Sequence, residues 1–369
     1  MGNVYIGDSS SKARELKSCY IGDSNGIARK IKAIFVGDSN NKARLVWNSN
    51  PLGSLCYLGV RNGQLCVVVS NGYESDEKVY PVPYAYTNWH PSGSNYGITK
   101  IFDTYYISCE RRYPDRGRDE YVRYQTKDFI NYEVNQWYYD FLCSYDLIHQ
   151  AGDYVIYYSP YESLYVSNDK GQTFSYNEDI EISYHFCADG NSVYCRANSD
   201  YAYMRRFDLT NNKLCFHNSF TEDYDGDVHC QCAGGGMALF FTDWGYVYKM
   251  TSNDTNCGIN KMVGDTFNST NYADTGIYYN GLFYIITNTN KLYASSDGIN
   301  WTLKYNLNQD NIRFKNFSIV NDTLHIFIGV TPRSDVITDG SKTYVYCTTD
   351  GIKFETYVVN EIITSAASV

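Results

Sequence analysis

One short pattern, returning at nearly even intervals, restricts this chain more than any other feature. Residues 167–174 read SNDKGQTF, a hydroxyl residue, then Asp169, Gly171 and Phe174. Two shorter variants follow, SDGINW at 296–301 and TDGIKF at 349–354. In such a turn Ser167 and the carboxylates of Asp169, Asp297 and Asp350 accept backbone N–H bonds. Gly171, Gly298 and Gly351 supply positive φ. The aromatic residue, Phe174, Trp301 or Phe354, packs between sheets. A weaker copy is TKDFINY at 126–132, and degenerate candidates lie near Asp76, Asp208 and Asp254. The aspartates then fall at 76, 128, 169, 208, 254, 297 and 350. Each of the clear turns follows a strand-like run such as LYVS, LYAS or VYCT, so each joins two strands of one unit.

A repeat of about 44 residues suits a β-propeller blade. The turn resembles the Asp box of sialidase-like propellers, which implies that 49–369 forms a propeller of seven four-stranded blades. The composition agrees with an all-β chain. Tyrosine alone contributes 39 of 369 residues, and aromatic residues make up 17%, a load suited to half-exposed strands. Runs such as GDYVIYYS, GLFYIITN and LHIFIGV read as strands. The closing EIITSAASV reads as an outer closing strand or a tail.

A second repeat occupies the first 47 residues. VYIGDSSSKARELK, CYIGDSNGIARKIK and IFVGDSNNKARLVW place Tyr5, Tyr20 and Phe35 fifteen residues apart, with Gly7, Gly22 and Gly37 and then Arg14, Arg29 and Arg44 in step. Each unit reads as a short hairpin around a Gly-Asp-Ser turn. A lone hairpin is marginal in water, so residues 1–48 need a partner. The unit resembles the N-terminal repeats of virion structural and tail-associated proteins of phages and prophages of Gram-positive bacteria. That resemblance implies a virion protein, assembled in the bacterial cytoplasm and attached to other virion proteins through 1–48. Phage fibres and spikes are often threefold, so a homo-oligomer, taken as a trimer, is the expected state.

Charge and cysteine content narrow the partners. The first 47 residues hold eight Lys/Arg against four Asp/Glu, and the remaining 322 hold 23 against 37. An acidic body argues against nucleic acid. No apolar run approaches the roughly 18 residues of a membrane helix, so no membrane partner is expected. The twelve cysteines are scattered; none has zinc-site spacing, and they read as buried thiols. The acidic stretch 222–227 lacks the distal Glu of a calcium loop. No metal and no cofactor is expected.

Antiparallel connectivity assigns loops to faces. In a blade of strands A to D, the A–B and C–D turns share one face, and the B–C and D–A connections share the other. Three long connections, 81–97, 110–120 and 331–342, belong to the second face and to consecutive positions around the ring. They carry Tyr84, Tyr86, Trp89, His90, Tyr96, Arg111, Arg112, Tyr113, Arg116 and Arg333. Tyr, Trp and Arg dominate binding surfaces, and the ligand expected there is a host-surface glycan or wall polymer.

The likeness to sialidases raises the question of catalysis. Those enzymes carry an early arginine in an Arg-[Ile/Leu]-Pro motif. The corresponding stretch here is GVRNGQ, where Arg61 has no proline after it. The turn alone marks a fold, not an activity. The expectation is therefore a non-enzymatic, receptor-binding virion component with no catalytic residue. Two alternatives fit the same residues: a particle-bound glycosidase with its site at the propeller axis, and a purely decorative or assembly protein of the capsid, collar or baseplate.

Overall fold

The computed structural model describes residues 54–61, 64–73, 77–83, 97–112, 119–138, 148–159, 163–181, 186–197, 202–211, 213–220, 228–251, 258–263, 267–332 and 341–369, together with the backbone of six short strands within 5–48. Those six strands form three antiparallel pairs that share one register beside the turn, the third shifting between Ile34 and Phe35. Gly7 faces Ala13, Gly22 faces Ala28 and Gly37 faces Ala43, so each 15-residue unit is one hairpin.

The rest is a seven-bladed β-propeller, each blade an antiparallel sheet of four strands. Blade I contains Leu55–Arg61, Gln64–Ser70 and Glu77–Pro81. Blade II runs Gly97–Ile101, Thr104–Arg112, Asp119–Thr126 and Glu133–Tyr138. Blades III to VII span 148–181, 186–220, 228–261, 273–306 and 312–359. In each of blades II to VII the first strand in sequence is the innermost.

Burial follows position in the blade. Strand B of blade VII, Thr323–Val330, is buried along almost its whole length because neighbouring blades cover both of its faces. The outer strand of blade VI, Thr302–Asn306, is exposed at every residue. The core therefore lies between blades rather than within any one. Tyr284, Ile286, Leu324, Ile326 and Ile328, for example, form one cluster between blades VI and VII. All the described cysteines except Cys215 are buried, and all are free thiols; burial raises Cys56 and Cys195 to about 12.

The C-terminus corrects the reading of EIITSAASV as an outer strand or a tail. Ala366–Ser368 is the innermost strand of blade I, with Ala366 opposite Tyr57 and Ser368 opposite Leu55. Ala366 and Ala367 are both buried there. Bonds to blades II and VII tie this segment down. Ser365 Oγ accepts from Ile98 N at 2.7 Å, Asn316 Nδ2 donates to Thr364 O at 3.0 Å, and Thr343 Oγ1 accepts from Ile363 N at 2.8 Å.

Blades meet by a recurring contact. In blades II, III, V, VI and VII the third residue of strand B points at the C–D turn of the next blade, whereas in blade I Tyr57 packs back on Tyr73 and blade VII. A Cβ added at Gly171 would overlap the Tyr106 hydroxyl, at Gly298 the Leu239 methyls, and at Gly351 the Tyr284 hydroxyl. In blade III the equivalent Ile156 shares a cluster with Leu209 of blade IV. At ring closure the equivalent residue is His325, whose Nδ1 lies 2.8 Å from the Tyr73 hydroxyl of blade I.

Candidate functional site

The C–D turns form as their residues demand. Ser167 Oγ accepts from Gly171 N at 2.7 Å and donates to Asp169 Oδ1 at 2.7 Å; Asp169 Oδ1 accepts from Gln172 N and Thr173 N at 3.0 and 2.9 Å. Asp297 Oδ1 accepts from Ile299 N and Asn300 N, both at 2.8 Å. Asp350 Oδ1 accepts from Ile352 N and Lys353 N at 2.8 and 2.9 Å. Gly171, Gly298 and Gly351 have φ of 86°, 75° and 70°. Trp301 is buried against Phe241, while Phe174 and Phe354 are half-buried beside Tyr157 and Tyr305. The hydroxyls that cap the two shorter turns are Ser295 and Thr348, one residue before the Ser296 and Thr349 that open the sequence pattern. The donated bonds hold Asp128 and Asp169 at about 2 and keep Asp297 and Asp350 below the ordinary carboxylate range, although burial opposes this.

Asp208 also sits in a C–D turn, accepting from Thr210 N at 2.8 Å. Asp76 and Asp254 lie outside the described residues, within the C–D connections of blades I and V. The turns therefore mark one face of the ring, as the connectivity requires.

The opposite face receives the long connections. Strand ends Pro81 and Gly97, Arg112 and Asp119, and Val330 and Lys342 carry them. They comprise the longest D–A connection and the two longest B–C connections, and they belong to blades VII, I and II, which are consecutive around the ring. Tyr84, Tyr86, Trp89, His90, Tyr96, Tyr113, Arg116 and Arg333 lie outside the described residues. Arg111 and Arg112 end strand B of blade II, where the backbone alone is described.

Arg61 lies on the same face, at the end of strand B of blade I. Its guanidinium bonds Glu77 Oε2 at 2.9 Å and pairs with Glu361. Glu77 Oε1 also accepts from the Tyr57 hydroxyl at 2.9 Å. Burial raises the Glu361 carboxyl against the pull of Arg61. Arg61 is thus engaged by two carboxylates and links the C-terminal segment to blade I. No local sequence signal could pair Arg61 with a residue 300 positions away.

A cleft of about 610 Å³ opens on the turn face between blades II and III. Its walls include Phe102, Asp103, Gln125, Asn131, Glu133 and Gln172. Sequence reading missed it, because it needs the A–B turn of one blade beside the C–D turns of two. Among the described residues, no group of three or more His, Cys, Asp or Glu is placed to hold a metal ion. Nor is any helix among them long and apolar enough to cross a membrane.

No protein-family profile and no curated protein sequence matches the chain. Solved structures do resemble it. Hsv2p from Kluyveromyces lactis aligns over 84% of this chain and 94% of its own, with TM-score 0.48 and 9% identity. YCF48 bound to D1 peptide aligns over 72% and 81%, with TM-score 0.47 and 12% identity. Apo AztD from Citrobacter koseri aligns over 85% and 98%, with TM-score 0.46 and 11% identity.

Proposed function

We propose that this chain is a non-enzymatic component of a phage or phage-like particle. Residues 1–48 attach it to other virion proteins, and the propeller is the outward-facing head that binds a host-surface glycan or wall polymer. One observation supports the head's role most directly. The longest D–A connection and the two longest B–C connections emerge on one face from consecutive blades. Tyr84, Tyr86, Trp89, His90, Tyr96, Arg111, Arg112, Tyr113, Arg116 and Arg333 belong to those connections or their flanks. A rigid scaffold presenting variable loops at one end is the usual way in which binding function is carried. In a homo-oligomer, weak sites of this kind act together and raise apparent affinity without new contacts.

The test uses the labelled full-length chain with a panel of Gram-positive cells and stripped wall polymers. Strain-selective binding that disappears when 84–96 and 113–118 are shortened is the expected result. A folded, oligomeric sample that binds none of them would leave a decorative or assembly role instead.

A further inference from the structure

Eight non-glycine residues among those described have positive φ, and five of them are Asn or Asp, which adopt this conformation with little strain. The other three are Phe102 (52°), Lys170 (62°) and Phe129 (59°). Phe102 and Lys170 line the cleft between blades II and III, and Phe129 follows its lining residue Asp128. A bulky side chain in this region is strained by contact between its Cβ and the following carbonyl. Phe129 has an evident compensation: it is buried, with its ring centroid 4.4 Å from that of Tyr105. Lys170 follows Asp169 as Gly298 and Gly351 follow Asp297 and Asp350, and the bonds of that turn hold it; Phe102 has less. Phe102 opens the A–B turn of blade II, where blades III, IV and V place Gly152, Gly190 and Gly235 and blades VI and VII place Asn280 and Asn321. It is half-buried, packing on the cluster of Ile101 and Tyr106 while also lining the cleft. Lys170 is exposed, and its ammonium lies 5.5 Å from the centre of the Phe102 ring. Backbone strain kept at the edge of a cleft is a feature of binding sites.

The chemistry of the walls limits the ligand. Lys127 and Lys170 stand against Asp103, Asp128 and Glu133, two positive charges against three negative, so the cleft offers no strong field to an ion. Asp128 is already saturated by N–H donors from its own turn. Gln125 Nε2 donates to Glu133 Oε2 and Asn131 Nδ2 to Asp128 Oδ2, each at 2.8 Å, which fixes these groups; the Gln172 amide and the Asn131 and Glu133 oxygens on the same wall are groups of the kind that pair with adjacent hydroxyls. The volume, about 610 Å³, lies within the range of roughly 300–1,000 Å³ typical of small-ligand sites.

We infer that this cleft is a binding site for a short neutral oligosaccharide, with Phe102 as its aromatic platform and Lys170 as a movable cover. The site lies on the face opposite the long loops and does not depend on them.

The experiment titrates the full-length chain with chitotriose, maltotriose and trigalacturonate by calorimetry and ligand-observed NMR. Saturable binding of a neutral trisaccharide at millimolar concentration or below is expected. Phe102→Asn is the decisive variant, because Asn suits the turn better than Phe. It should raise the denaturation midpoint and yet weaken binding by about tenfold or more, as loss of an aromatic anchor does. Lys170→Gly should also raise the midpoint while leaving affinity unchanged or improved. The inference is overturned if neither neutral trisaccharide binds, if trigalacturonate alone binds, or if Phe102→Asn binds as the wild type does. Shortening 84–96 and 113–118 leaves the cleft intact, so loss of cell adsorption and loss of trisaccharide binding are read separately.

Discussion

The contact between Gly351 and Tyr284 offers a quantitative test of how blades are joined. Gly351 has φ of 70°, and an added Cβ would overlap the Tyr284 hydroxyl while lying 3.2 Å from Cζ. Tyr284 is fully buried, and its hydroxyl has no hydrogen-bond partner among the described residues. Gly351→Ala therefore combines two costs. A left-handed alanine costs about 1–2 kcal/mol, and overpacking a filled interior adds about 1–3 kcal/mol. Tyr284→Phe removes an unsatisfied buried hydroxyl and should be neutral or stabilising by up to about 1 kcal/mol. In the double variant the overlap is gone and the 3.2 Å contact to the ring carbon needs only a small shift. Its cost should fall back to the left-handed contribution alone, leaving a coupling of about 1–3 kcal/mol between the two sites. Gly281→Ala is the control, because Gly281 has φ of 82° and no heavy atom within 4 Å of an added Cβ. It should lose about 1–2 kcal/mol and show no coupling to Tyr284. Equilibrium unfolding in guanidinium, followed by tryptophan fluorescence, measures the three single variants and the two doubles, each glycine change combined with Tyr284→Phe, against wild type. Additivity of Gly351→Ala and Tyr284→Phe would refute the reasoning, since it would mean that the hydroxyl does not meet the turn.

Two further predictions concern ring closure. Burial holds the His325 imidazole at about 4, below its ordinary 6.5. The folded state thus disfavours the proton, so this contribution is complete above pH 6.5 and is lost as pH falls toward 4, by up to roughly 3 kcal/mol. His325→Gln should flatten that part of the stability profile; parallel decline of wild type and variant between about pH 7 and pH 4.5 would contradict the assignment. Removing 361–369 takes away the inner strand of blade I together with buried Ile363, Ala366 and Ala367. The truncated chain should lose cooperative unfolding and become protease-sensitive in blades I and VII, and a synthetic 361–369 peptide should restore protection. Truncation without any change in protection would show that closure does not depend on this strand.

Much of the architecture is local enough to be legible in sequence. A turn built by Ser167, Asp169 and Gly171 needs only neighbours within a few residues, and so do its counterparts around Asp297 and Asp350. Their spacing therefore reveals both the blade count and the face on which each connection emerges. The capping hydroxyls of the shorter turns, Ser295 and Thr348, are not distinguished by sequence from the neighbouring Ser296 and Thr349, which are chemically alike. Phe129 hides in the same pattern: a phenylalanine at a glycine position looks like a degenerate turn until its ring is seen in the core between blades I and II.

The candidate sites were legible to different degrees. Loop length and composition singled out one face, since connectivity alone decides which turns share it. The cleft on the other face requires Phe102, Asn131 and Gln172 to meet across two blades. His325 reads in sequence as a lone histidine, yet it bonds Tyr73 from 252 positions away and lies 3.3 Å from the Cys347 thiol.

The sequence by itself determined the hydroxyl–aspartate turns, the repeat length, the all-β class and the three N-terminal hairpins, because each depends on interactions within about 44 residues. Only the tertiary structure decided where the chain closes, which carboxylates engage Arg61, and what lies between blades II and III. Closing the ring brings residue 366 beside residue 57, and contacts made at that distance leave no periodic trace in the chain.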